Sequence, residues 1–204
     1  MKLQGLYAIT PESVDGRELA ARVRAALDGG LAALQYRRKT LASLEEAKSV
    51  AALCRAKAVP FIVNDDIELA LASGADGVHL GRDDGDLAAA RKKMKSKILG
   101  ISCYASLDQA RAAVAAGADY VAFGSVFPSP TKPGAPRAPL ALFAEARALG
   151  VPLVAIGGIT LGNARELLAA GADALAVISD LFDAADVRER ARAYGRLFAH
   201  EIAQ

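Results

Sequence analysis

The sequence is poor in residues that mark a special environment. Its two cysteines, Cys54 and Cys103, have no metal-ligand spacing, which excludes a thiolate metal site and a disulfide framework. Both read as reduced residues in or near a core. Histidine is as scarce. His79 lies within an apolar run and reads as a satisfied core residue, while His200, near the end of the chain, reads as a surface residue. No run approaches the roughly eighteen apolar residues of a membrane span. Residues 1–10 show no apolar signal core and no cleavage site, so the cytoplasm is the expected location. A net charge of only +2, with no basic stripe, argues against nucleic-acid or membrane-surface binding. Small-molecule substrates are the expected partners, and a homo-oligomer stays open. No GxGxxG follows the first apolar run, and no nucleophile–base pair stands out.

What is present is a repeating α/β pattern. A chain of 204 residues, 53% hydrophobic and 24% charged, has room for a sizeable core, and one catalytic domain over 1–204 is expected. Eight apolar runs recur, over 5–10, 32–37, 60–64, 77–80, 98–102, 120–126, 152–156 and 174–179. None alternates, so each reads as a strand buried on both faces, as in a parallel sheet. Helix-period stretches lie between them. Ser43 with Glu46 and Ser106 with Gln109 read as capping boxes that open two of these. The last stretch places Val187, Ala191, Tyr194, Phe198 and Ile202 on one face. The corner Gly-Ala-Asp occurs at 74–76, 117–119 and 171–173, with a weaker copy at 27–31. Each marks a helix end at glycine and a turn into the next strand. This repetition predicts a (β/α)8 TIM barrel of eight parallel strands, with an open doubly wound sheet as the alternative.

In a barrel, the strand C-termini carry the active site. The second run ends in Gln35-Tyr36-Arg37-Arg38-Lys39, where alternation sends Gln35, Arg37 and Lys39 to one side. Two cations and an amide there suit an anion, although a solvated charge cluster has the same composition. The third and fourth runs end near Asp65 and Asp84, oxygen ligands suited to Mg²⁺ shared with substrate phosphates. Asp66 and Asp83 read equally well as helix N-terminal acids, and Asp84 as an N-cap. Five of the eight prolines fall between Pro128 and Pro139, so this stretch is a loop. It carries Ser129, Thr131 and Lys132, a set suited to a phosphate. Gly157-Gly158 after the seventh run and Ile178-Ser179 after the eighth occupy the usual phosphate position of such barrels. Two anion sites are therefore expected, suited to two phosphorylated substrates or one bisphosphate.

These motifs, in this order, resemble the thiamine-phosphate synthase family along the whole chain. The matches are Gln35-x-Arg37-x-Lys39, Asn64-Asp65, His79-x-Gly81-x-x-Asp84, Gly100-Ile-Ser102, Ser129-Pro-Thr131-Lys132, Ala155-Ile-Gly-Gly-Ile159 and Ile178-Ser179. The resemblance implies a transferase that joins hydroxymethylpyrimidine diphosphate to a thiazole phosphate, or its carboxylated form, and releases diphosphate. It implies that Gln35, Tyr36, Arg37, Arg38, Lys39, Asn64, Ser102 and Lys132 hold the pyrimidine diphosphate. Of these, Arg37, Lys39, Ser102 and Lys132 would serve catalysis. It implies that Asp65 and Asp84 bind Mg²⁺, and that Ser129, Pro130, Thr131, Gly158, Ile178 and Ser179 hold the thiazole phosphate. The implied mechanism is dissociative, through a pyrimidine-methyl cation that the thiazole nitrogen captures. Arg38 and Arg82 stand where the family often has Glu and Gln, adding positive charge near the diphosphate site, and Ser129 stands where it often has Thr.

Three other readings compete. A thiazole tautomerase of the same superfamily would lack the intact diphosphate set that Arg37, Lys39, Asp65, Asp84 and Lys132 make here. A phosphate-sugar isomerase or indole-type synthase would leave the Ser-Pro-Thr-Lys loop without a role. A non-enzymatic protein would bind thiazole phosphate without turnover.

Overall fold

The computed structural model of the chain describes residues 2–201 except 13, 41, 82–84 and 129–136. Eight strands, each hydrogen-bonded in parallel to the next in sequence, close into a barrel in which β8 pairs with β1. The first half runs β1 (Gly5–Ile9), α1 (Gly16–Gly29), β2 (Ala33–Tyr36), α2 (Leu44–Ala56), β3 (Phe61–Asn64), α3 (Ile67–Ser73), β4 (Gly77–Leu80) and α4 (Leu87–Met94). The second half runs β5 (Ile98–Tyr104), α5 (Leu107–Ala115), β6 (Tyr120–Phe123), α6 (Ala141–Ala146), β7 (Leu153–Ile156), α7 (Ala164–Ala169) and β8 (Ala174–Val177). A short α8 (Ser179–Phe182) and a long α9 (Val187–Glu201) end it. The closed barrel, not the open sheet, is the fold. None of the described helices is long and apolar enough to cross a membrane.

The apolar runs form strands because both of their faces are covered. Outward residues such as Leu34, Val63, Val78 and Leu175 pack under the helices, while Tyr7, Ile62, Tyr120 and Val154 fill the barrel. The starts of five helices are set by side-chain hydrogen bonds. Asp15, Ser43, Asp66, Asp86 and Ser106 each accept a backbone N–H in the first turn of the helix that follows. Such a cap contributes about 1 kcal/mol. Thus Ser43 and Ser106 open α2 and α5, but the N-cap of α4 is Asp86 rather than Asp84. The Glu46 carboxylate does not return to Ser43 as a full capping box requires, because Tyr36 and Arg38 hold it.

The repeated Gly-Ala-Asp corner has a second use. Asp76 accepts the Phe61 N–H at 2.8 Å, Asp119 the Leu99 N–H at 2.8 Å, and Asp173 the Leu153 N–H at 2.9 Å. In each case the aspartate's own N–H donates back to the carbonyl of the same partner. The carboxylate clamps the base of its strand to the base of the preceding one. At the weaker fourth copy the Ala32 N–H donates to the Leu6 carbonyl, and no carboxylate is present to complete the pair.

Cys54 and Cys103 are buried and unpaired, and burial pushes both thiols up to about 12. On α9, Val187, Ala191, Tyr194 and Phe198 are buried as the periodicity predicts, and Ile202 lies outside the described residues.

Candidate active site

A cavity of about 770 Å³ opens at the C-terminal ends of the strands. Its β2 wall follows from pleating: Gln35, Arg37 and Lys39 line it. Two sequence-predicted ligands from the same segment are not brought there. The Tyr36 hydroxyl donates to Glu46 Oε1 at 2.7 Å, on the helix side of the strand. Burial, then the Glu46 carboxylate, pushes this phenol up to about 12. Arg38 bonds Glu46 through Nε at 2.9 Å and through Nη2 at 3.0 Å, and it also donates to the Glu12 and Val14 carbonyls. Its charge is matched within the fold, so it adds none to the cavity. Tyr36 and Arg38 instead line an adjoining hollow of about 580 Å³ between the ends of β2 and β3 and the first turn of α3, which shares Lys39, Asn64 and Asp65 with the cavity.

Next to β2, Asn64 and Asp65 line the cavity at the end of β3. Asp65 holds a left-handed φ of 64°, and its N–H donates to the His79 carbonyl at 2.8 Å. Aspartate tolerates this conformation better than most residues, and such backbone positions gather at functional sites. Asp66 caps α3 through Leu69, so the plain reading of that residue is the observed one.

Glu12 was not foreseen and shapes this wall. Its Oε1 accepts the Lys39 N–H at 2.7 Å and the Thr40 N–H at 3.2 Å, and its Oε2 lies 3.5 Å from Arg37 Nη1. Burial alone would raise this carboxyl. The Lys39 and Thr40 N–H groups and the Arg37 guanidinium outweigh it and hold the group below the usual glutamate range. Thr10 fixes the Arg37 backbone, its hydroxyl accepting the Arg37 N–H at 2.8 Å.

The floor is polar, which is unusual for a barrel interior. Gln35 Nε2 donates to the Tyr7 hydroxyl at 3.0 Å, and that hydroxyl lies 2.8 Å from the Tyr120 hydroxyl. Tyr120 lies 2.9 Å from His79 Nδ1, and His79 Nε2 lies 2.8 Å from Ser102 Oγ. His79 is a satisfied buried residue, as its apolar run predicts, yet it also lines the cavity. Tyr7 and Tyr120 were missed. The available signal was two phenols in apolar strands, each needing a buried partner. Gly100 makes room for them, since a Cβ there would sit 2.0 Å from Tyr120 Cζ.

Across the cavity, Gly157, Gly158, Ile178 and Ser179 form the wall of β7 and β8. The glycine pair has a reason besides ligand approach. Both residues have positive φ, and a Cβ on Gly158 would sit 2.3 Å from the Pro128 carbonyl oxygen. The segment after β6 therefore lies directly against this turn, with the Phe127 N–H donating to the Gly157 carbonyl at 3.1 Å. Pro128, the last described residue before the proline-rich loop continues, lines the cavity. Asp84, Ser129, Pro130, Thr131 and Lys132 lie outside the described residues.

Among the described residues there is no cluster of three histidine, cysteine or carboxylate ligands. The Asp65 carboxylate and the Asn64 amide nevertheless give the cavity hard oxygen donors. A cation that takes one or two carboxylates and completes its shell with substrate phosphate fits that set.

A closed parallel barrel with polar and charged side chains at its strand C-termini has the layout of a barrel enzyme. Residues 6–181 match the family model described as thiamine monophosphate synthase. The thiamine-phosphate synthase of Aromatoleum aromaticum is 59% identical over 202 residues, covering 97% of each chain. That of Chromobacterium violaceum is 56% identical over 201 residues, again covering 97% of each. The solved thiamine phosphate pyrophosphorylase of Pyrococcus furiosus superposes with a TM-score of 0.88 at 36% identity, over 98% of this chain and 97% of that one. The chain belongs to the thiamine-phosphate synthase family and is an enzyme of the transferase class.

Proposed function

We propose that this enzyme joins hydroxymethylpyrimidine diphosphate to a thiazole phosphate, plain or carboxylated, forming thiamine phosphate and releasing diphosphate. The observation that carries this reading is one cavity with two unlike walls. Gln35, Arg37, Lys39, Asn64, Asp65 and Ser102 make a charged and amide-bearing wall, and Gly158, Ile178 and Ser179 face it from β7 and β8. The first wall suits the diphosphate, and Lys132 of the proline-rich loop would add a further cation. The second suits the thiazole phosphate, with Ser129 and Thr131. Asp65 and Asp84 would hold Mg²⁺, which supplies charge neutralisation to the diphosphate.

The chain's own contribution is electrostatic. Arg37 and Lys39 stabilise charge that grows on the diphosphate as its bond to the pyrimidine methylene breaks. No protein nucleophile is needed if the methylene becomes cationic and the thiazole nitrogen captures it. Holding both substrates in one cavity sets the attack geometry and excludes water from the cation.

The test supplies the purified protein with both substrates and Mg²⁺ and assays thiamine phosphate. Electron-withdrawing substituents on the pyrimidine should slow single turnovers strongly. Product formed at rates indifferent to the substituent would discard the cation but keep the function. Thiazole phosphate binding or tautomerisation without thiamine phosphate would replace the synthase with one of its rivals.

A further inference from the structure

The floor of the cavity is one continuous chain of five side chains, from Gln35 through Tyr7, Tyr120 and His79 to Ser102. With a neutral His79 each link holds one hydrogen, so the chain has only two directions. A carboxamide NH₂ can donate but not accept. Because Gln35 donates to Tyr7, the Tyr7 proton must go to Tyr120. The Tyr120 proton then goes to His79 Nδ1, which leaves the ring hydrogen on Nε2, facing Ser102. Ser102 accepts it, and its own hydroxyl hydrogen is left for the cavity that the residue lines. Burial pushes both phenols well up, so each keeps the proton that the chain needs. Run the other way, the chain would turn the Ser102 hydrogen toward His79 and present only lone pairs to an anion.

We propose that Gln35, Tyr7, Tyr120 and His79 are positioning residues that fix the Ser102 hydroxyl as a donor pointing into the cavity, toward the diphosphate as it departs. This rests on the synthase reading for the identity of the anion, but the direction of the chain does not. A donor set in advance needs no reorientation when charge develops, which is where electrostatic catalysis gains most. The ring geometry supports a rigid relay: His79 stacks on Tyr120 at an interplanar angle of 22°, and Tyr7 meets Tyr120 edge-on at 79°.

Two measurements decide the matter. The first is ¹⁵N NMR of the ligand-free protein labelled at histidine, with His200→Gln to assign His79. The expected result is a protonated Nε2 and a bare Nδ1; in Tyr120→Phe or Tyr7→Phe that single form should give way to a mixture. A protonated Nδ1 in the wild type would overturn the proposal. The second is a double-mutant cycle in single turnover. Tyr120→Phe should slow product formation about five- to tenfold, leave KM for thiazole phosphate unchanged, and have no further effect in the Ser102→Ala background. The same fold-loss in both backgrounds would show that Tyr120 does not act through Ser102. Thermal melts check folding, and Tyr7→Phe stands in if Tyr120→Phe is unstable. A wild type that makes no thiamine phosphate fails the synthase reading, and the tautomer still decides the direction of the chain.

Discussion

Arg37 and Arg38 are neighbours with the same side chain, and the strand sends them to opposite fates. Arg38 has a side chain only 3% exposed, and its donors meet the Glu46 carboxylate and two backbone carbonyls. Among the described residues, the Arg37 guanidinium reaches only Glu12, at 3.5 Å, and it lines the cavity. A guanidinium offers five N–H donors. Arg38 has committed its donors to holding β2 against α2 and the loop after β1, whereas Arg37 has most of its donors left. Positive charge at a strand end therefore does not by itself mark a ligand site. Donors left uncommitted beside a cavity are what separate Arg37 from Arg38.

The comparison breaks most sharply at Arg37. Arg37→Ala is expected to lower kcat/KM by about a hundred- to thousandfold, with the melting temperature shifted by no more than about two degrees. Steady-state kinetics beside thermal melts would check this, and a large loss of stability would erase the contrast with Arg38. Arg38→Ala should do the reverse. It leaves Glu46 half-buried without its cation, so unfolding in urea should show a loss of about 3 kcal/mol. Activity per folded molecule should stay within about threefold of wild type. A hundredfold drop in activity at full stability would return Arg38 to the site.

Glu12→Gln should have the smallest effect and sharpen the picture, because Glu12 touches Arg37 and the Lys39 backbone together. Its folded carboxyl is held below the ordinary value, so its stabilisation is complete above the ordinary glutamate pKa and fades as pH falls through the lowered one. At neutral pH the variant should lose less than about 1 kcal/mol. Melts at a series of pH values should show the two proteins converging below about pH 4. A gap that stayed constant into acid would mean that the carboxylate charge is not what stabilises this corner.

Much of this was legible in the sequence because burial on both faces writes strands as unbroken apolar runs. All eight strands fall where those runs predict, and the positional rule for barrels named Gln35, Arg37, Lys39 and Asp65, and the family resemblance Asn64 and Ser102, all of which line the cavity. Strand ends were less legible. β5 continues to Tyr104 through a register shift between Ser102 and Tyr104, and β6 stops at Phe123, because pairing depends on the neighbouring strand and not on the run itself. Alternation already set Tyr36 and Arg38 apart from Gln35, Arg37 and Lys39, but it did not show what holds them. Their partner Glu46 lies on the next helix, and nothing in the local pattern shows which way its carboxylate turns. The two phenols of the floor were hidden because an inward tyrosine and a core tyrosine look alike until the histidine and serine around them are brought together.

The three aspartate clamps all sit at the strand N-termini, the end of the barrel remote from the cavity. Each closes within a single strand–helix–strand unit, so none depends on a residue that lines the cavity. The molecule keeps its tolerance for change at one end and its intolerance at the other. The loops at the mouth can be rewritten for another anion without loosening the base that holds the staves together.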